Sequence, residues 1–231
     1  MKKYFLILCA VIVSSFLFFG CQGEPGAAGP AGADGVKNML MMNFQNDVYP
    51  STDYTGNVDN TITSGTPDTN RGSLSNLYTG YYSGATWHVE RVPMKFEISQ
   101  DMPANAKVKK VYLTLFLDQL FDISSIDTTC YKITTDWTEG SSTWNDPWTD
   151  SGGDYGSAIS DNVVMETADN GTYITWKLDA SEVQAWLDNP SSNYGFLMKS
   201  SSEDTGETIF NSSETGTEKE RPKLTVYYTV E

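Results

Sequence analysis

Val111-Tyr112-Leu113-Thr114-Leu115-Phe116-Leu117 carries an aliphatic side chain at every odd position. Side chains on an extended strand alternate between the two faces of a sheet, so a period of two gives one buried face. The end of the chain repeats the pattern: Leu224, Val226, Tyr228 and Val230 alternate with Thr225, Tyr227 and Thr229. Met94-Lys95-Phe96-Glu97-Ile98 alternates as well, and Ile174, Trp176 and Leu178 share one face of the run from Tyr173. Tyr194 to Lys199 and Thr208 to Ser212 are shorter strand candidates. One helix stands apart. Asp179-Ala180-Ser181-Glu182 has the form of a capping box, Val183, Trp186 and Leu187 make an i, i+3, i+4 stripe, and Asn189-Pro190 stops it. Many strands and one short helix predict an all-β fold, a jelly-roll-like antiparallel β-sandwich.

The first residues predict export. Lys2-Lys3, an apolar run from Tyr4 to Phe19, and Gly20 just before Cys21 make a secretory signal. A cysteine directly after the small residue makes it a bacterial lipoprotein signal, cleaved between Gly20 and Cys21, with Cys21 the lipidated N-terminus. Phe18 occupies the −3 position, where leucine is usual. The run is shorter than the ~20 residues of a spanning helix. Gln22, not Asp, follows Cys21, which fits a lipoprotein of the outer membrane or cell surface. Residues 23–37 then read as five Gly-x-y triplets. Five triplets are too few for a stable triple helix alone, so residues 21–37 read as an extended tether, with trimerisation the second reading and a monomer expected. Residues 38–231 form one domain, long enough for a sizeable core.

Composition narrows the function. The net charge of −15 falls to −17 once Lys2 and Lys3 leave with residues 1–20. Such a chain repels the phosphates of nucleic acid. It disfavours polyanionic glycans too, unless a metal bridges or a local basic patch such as Lys107, Lys109 and Lys110 forms. Cys130 is the one cysteine left in the domain, expected to be buried as a small hydrophobe. His88 is the single histidine, which excludes a multi-histidine zinc site, and no nucleophile elbow, phosphate loop or His-Glu-x-x-His motif occurs. Six Trp, 13 Tyr and 10 Phe among polar loops fit an extracellular β domain.

Two stretches resemble a known family. They are Trp137-Thr138-Glu139-Gly140-Ser141-Ser142-Thr143-Trp144-Asn145, and Phe210-Asn211-Ser212-Ser213-Glu214 followed by Arg221-Pro222-Lys223-Leu224-Thr225-Val226. Together they resemble the DNRLRE-type domain, also classed as carbohydrate-binding module family 96. Thr69-Asn70-Arg71-Gly72-Ser73 resembles its early turn. Arg91-Val92-Pro93-Met94-Lys95-Phe96-Glu97-Ile98 resembles its arginine–lysine strand, with Glu97 where Asp is usual. Pro103-Ala104-Asn105-Ala106, the helix from Asp179 to Trp186, and Tyr194-Gly195-Phe196 follow in the family's order. The resemblance covers roughly residues 45–230. It implies a jelly-roll-like sandwich and polysaccharide binding, with alginate a ligand of some members. No catalytic domain accompanies the module in this sequence, so binding without catalysis is expected.

Flat aromatics stack on pyranose rings while amides and carboxylates hold the hydroxyls. The densest candidate runs from Trp144-Asn145 to Tyr155, where Pro147 and the glycines predict a loop that exposes Trp148 and Tyr155. Trp87-His88, after Tyr81-Tyr82, is a second candidate surface. Trp137 and Trp144 also suit packing, and Trp176 and Trp186 lie on apolar faces. Asp146, Asp150 and Asp154 recur every four residues and offer hard oxygen ligands to calcium, as do Asp47, Asp53 and Asp59. Neither set has EF-hand spacing, and solvated loop carboxylates are the plainer reading. A glycosidase needs two carboxyls facing across a cleft, and no pair is singled out among 30 acidic residues. A structural or adhesive surface protein is the alternative to glycan binding; a polysaccharide-degrading enzyme is the weaker one.

Overall fold

The computed structural model describes residues 38–230, and the signal, Cys21 and the Gly-x-y segment lie outside them. Thirteen strands follow in order: β1 (Leu40–Phe44), β2 (Asn57–Asp59), β3 (Ile62–Thr63), β4 (Asn76–Tyr82), β5 (His88–Phe96), β6 (Ala106–Phe121), β7 (Ser125–Ile133), β8 (Tyr155–Ala158), β9 (Val163–Glu166), β10 (Thr172–Leu178), β11 (Phe196–Lys199), β12 (Glu207–Asn211) and β13 (Lys223–Val230). Every pairing among them is antiparallel. The helix α1 (Ala180–Asp188) lies between β10 and β11.

The alternating run at Val111 lies in β6, the longest strand. Val111, Leu113, Leu115 and Leu117 are fully buried while Tyr112, Thr114 and Phe116 are half-buried. One edge of β6 takes β13 along residues 106–114 and β12 along residues 117–121, and the other takes β10 along residues 111–117. In β10 the alternation is clean: Ile174, Trp176 and Leu178 are buried, and Thr172, Tyr173, Thr175 and Lys177 are exposed. Trp176 donates from Nε1 to the Thr128 carbonyl at 2.9 Å and meets Phe210 edge-on at 5.7 Å, so its one polar atom is satisfied inside the core.

Strand β5 joins the two halves of one curled sheet. Its first half pairs with β4 and β3, through Gly80↔Glu90 and Ile62↔Arg91. Its second half pairs with β11 and β2, through Met198↔Val92 and Asp59↔Met94. Val92, Met94 and Phe96 enter the main core with Cys130, whose thiol pKa burial pushes up to about 12. Helix α1 begins at the expected N-cap, Asp179, but without the reciprocal half of the capping box. Asp179 accepts from the Ser181 N–H at 2.8 Å, while Glu182 turns to Lys132 at 2.6 Å. Val183 and Trp186 reach the core, and the helix ends before Pro190.

A second, smaller core changes the expected picture of the tryptophan-rich loop. Residues 134–154 fold back over β11 and the end of β7, packing Trp137 and Trp148 against Ile62, Ile133 and Leu197. Trp137 donates to the Tyr194 carbonyl and Trp148 to the Thr143 carbonyl, each at 2.8 Å. Trp148 was expected to be exposed and is 6 % exposed. Pro and Gly make this segment irregular, as read, but the bare face of β11 offers its indoles a larger apolar surface than solvent does.

Trp176→Ala should therefore cost about 3–5 kcal/mol in a urea unfolding titration, as a large buried aromatic does. Val164→Ala, at a β9 residue 60 % exposed, should shift stability by no more than ~0.5 kcal/mol. Equal effects would contradict this placement of the core.

Candidate functional site

The register lines up Phe121, Glu207, Gly80 and Glu90 on the adjacent strands β6, β12, β4 and β5. Gly80 carries no side chain, and its φ of +116° suits glycine. Tyr82 pairs with His88 two residues along. Arg71 comes over from the loop before β4. With Tyr78 these residues line a groove of about 250 Å³: Arg71, Tyr78, Tyr82, His88, Glu90 and Glu207. Its rim is aromatic. Tyr82 stacks on Phe121 at 6.0 Å and 15°, and lies 5.0 Å from the His88 ring. Phe121 is 39 % exposed, and Trp87, next to His88, is 75 % exposed.

The floor is charged. Arg71 Nη1 donates to Glu90 Oε1 at 3.2 Å, and His88 Nε2 lies 3.4 Å from the same oxygen. The other oxygens, Glu90 Oε2 and Glu207 Oε2, are buried without a hydrogen-bond partner. Burial first, then the charge of Glu90, pushes the Glu207 carboxyl up to about 8.

The other expected surface forms a polar cleft of about 740 Å³, whose lining includes Arg91, Thr135, Asp150, Asp154 and Tyr155. Tyr155 is exposed, but Arg91 Cζ lies 5.5 Å and Lys199 Nζ 5.7 Å from its ring centroid. Trp144 is half-buried, with Arg91 Cζ 5.1 Å from its ring. Arg91 itself is held by Glu203 through Nε at 2.7 Å and Nη2 at 2.8 Å, and by the Gly152 carbonyl. Asn145 spends its amide within the loop region, donating to Asp68 and accepting from Ser151. Lys109 and Lys110 line a separate hollow with Lys177, alongside Asp161 and Asp179.

Asp146, Asp150 and Asp154 do not gather as calcium ligands. Asp154 accepts from Thr135 Oγ1 and from the Thr149 and Asp150 N–H groups, so both its oxygens are committed. Slight burial works to raise its pKa, but these hydrogen bonds outweigh it and hold the carboxyl down at about 2. Among the described residues, the acidic trio with oxygens within 4.8 Å of one another is Asp59, Glu139 and Glu214. The second set also disperses, since Asp47 pairs with Arg221. Sequence reasoning reached His88 and Trp87. It missed Arg71, Tyr78, Tyr82, Phe121, Glu90 and Glu207 as a group, although the spacing of His88 and Glu90 already put them on one face.

The chain matches Carbohydrate-binding module family 96 over residues 50–228 and belongs to that family. No curated protein matches it. Among solved structures, a chain from the heated full particle of Israeli acute paralysis virus is 12 % identical, over 97 % of this chain and 81 % of that one, with a TM-score of 0.23. That likeness is too slight to bear on fold or function. The family is one of carbohydrate binding.

Glu207 holds its proton to about pH 8 in the fold, against an ordinary 4.5. Between pH 5 and 8 the unfolded chain therefore binds fewer protons, and this group's contribution to stability falls as pH rises. Glu207→Gln removes the titrating group. The melting temperature of the variant minus that of the wild type should grow from pH 5 to pH 8; a constant difference would mean that Glu207 ionises normally.

Proposed function

We propose that this chain is a membrane-anchored surface lipoprotein that binds polysaccharide without catalysis, and that the glycan lies on the Trp87–Tyr82–Phe121 rim above Glu90 and Glu207. One observation carries the placement. The groove sets the Tyr82 ring, stacked on the exposed Phe121, beside two buried carboxyl oxygens that lack a hydrogen-bond partner in the protein. Sugar hydroxyls supply donors at that position while the rings cover an apolar pyranose face. Buried acceptors left without a partner cost stability, so a ligand that satisfies them gains affinity.

Cys21 is the lipidation site in this reading, residues 21–37 are the tether, and the outer membrane or cell surface is the location. Gly20-Cys21 after the apolar run supports it. The adhesive reading, with no sugar affinity, is the one that the following experiment separates.

Immobilised plant, algal and bacterial polysaccharides should retain the full chain in detergent. Trp87→Ala and Phe121→Ala should each weaken retention about 2- to 12-fold, the value of ~0.5–1.5 kcal/mol per aromatic contact, and Tyr155→Ala should leave it unchanged. Loss through Tyr155→Ala alone would move the site to the Arg91 cleft. No retention on any glycan would favour the adhesive role. Separately, cells fed radiolabelled palmitate should label the chain, and Cys21→Ala should abolish the label; a label that persists would refute lipidation at Cys21.

A further inference from the structure

We propose that Asp59, Glu139 and Glu214 form a calcium site that ties three distant segments of the domain together. Asp59 ends β2, Glu139 lies in the loop after β7, and Glu214 follows β12. One oxygen from each lies within 4.8 Å of the other two. Calcium holds oxygens at about 2.3–2.6 Å, so two of its ligands stand at most about 5.2 Å apart, and this spread fits. The donors are all hard carboxylate oxygens, which select calcium over zinc or copper.

Independent of that proximity is an unanswered oxygen. Asp59 is 1 % exposed, and its Oδ1 is buried with no hydrogen-bond partner. Its Oδ2 is already fixed by the Ser213 N–H at 3.0 Å. The neighbouring Asn60 is equally buried, and its Oδ1 also lacks a donor. Elsewhere in the trio, Glu139 Oε1 accepts from the Asp59 N–H at 2.9 Å and Glu214 Oε1 from the Ser213 hydroxyl at 2.8 Å. Each carboxylate is thus oriented through one oxygen. No ion pair among the described residues involves any of the three. Three converging carboxylates repel one another, and a buried one without a counter-charge is costly. In keeping with this, burial, followed by the charge of Glu214, pushes Asp59 well above the usual carboxylate range. A divalent cation removes both penalties and satisfies Oδ1. It also explains why Glu139 and Glu214, one from each of the two family-like motif stretches, meet beside a third segment.

The test needs no glycan, so its result is separate from that of the binding reading. The full chain in detergent is stripped with chelator, and its melting temperature is followed as calcium is added. Calcium a hundredfold above its Kd should raise it by about 5–10 °C. Terbium should bind competitively and luminesce on tryptophan excitation, through Trp137 two residues from Glu139. Glu214→Gln and Glu139→Gln should each abolish the calcium response and raise the melting temperature of the calcium-free protein, since each removes a repelling charge. Asp154→Asn should keep the full response. No response in the wild type, a response that survives both glutamine variants, or an equal response to magnesium would overturn the proposal.

Discussion

The backbone of β5 is hydrogen-bonded to β4 and β3 through its first half and to β11 and β2 through its second. Nine residues therefore serve three surroundings. His88 and Glu90 line the groove, Arg91 is clamped beneath the tryptophan-rich loop, and Val92, Met94 and Phe96 fill the main core. A strand's side chains alternate with a fixed period, so moving β5 by one residue would displace all three sets together. The groove is consequently as firmly placed as the core on which it rests.

The motif residues do structural work around that strand. Asn70 donates to the Glu139 and Ser142 carbonyls at 2.6 and 2.8 Å, fastening the early turn to the loop after β7. Arg221 donates to the Thr215 and Asn46 carbonyls, holding the entry to β13 against the chain after β1. Arg91 bridges Glu203 and Gly152. Each satisfies backbone carbonyls of irregular segments, which would otherwise lose water without a replacement. Membership of the carbohydrate-binding family is thus legible in residues that hold loops in place. The groove residues Glu207, Tyr82 and Phe121 lie outside those motifs.

Much of the fold was readable along the chain, because burial follows local period. β6 over Val111–Leu117, β10, and β13 as far as Tyr228 alternate in sequence and in the fold; past a bulge at Tyr227–Tyr228, Thr229 is buried and Val230 exposed, and α1 starts and stops where Asp179 and Pro190 dictate. The loop from Trp144 to Tyr155 shows where that reading ends. Its composition correctly gives irregular backbone, but irregular backbone does not say which way an indole turns. Trp148 lies in the second core because Leu197 and Ile62 are there to receive it. The aspartates of the same loop are spaced as ligands, yet Asp154 is consumed by local N–H groups before any cation.

Strands, helix, the burial of Cys130 and the family could be read along the chain, since each depends on residues near one another in sequence. The groove and the acidic trio come from the folding of distant segments together. Arg71, Glu90 and Glu207 meet because β4, β5 and β12 are neighbours in one sheet, and Asp59, Glu139 and Glu214 because a strand end and two loops converge. Such contacts span large sequence separations and leave no local period. They are set by which strands pair, and the burial of the whole core fixes that pairing.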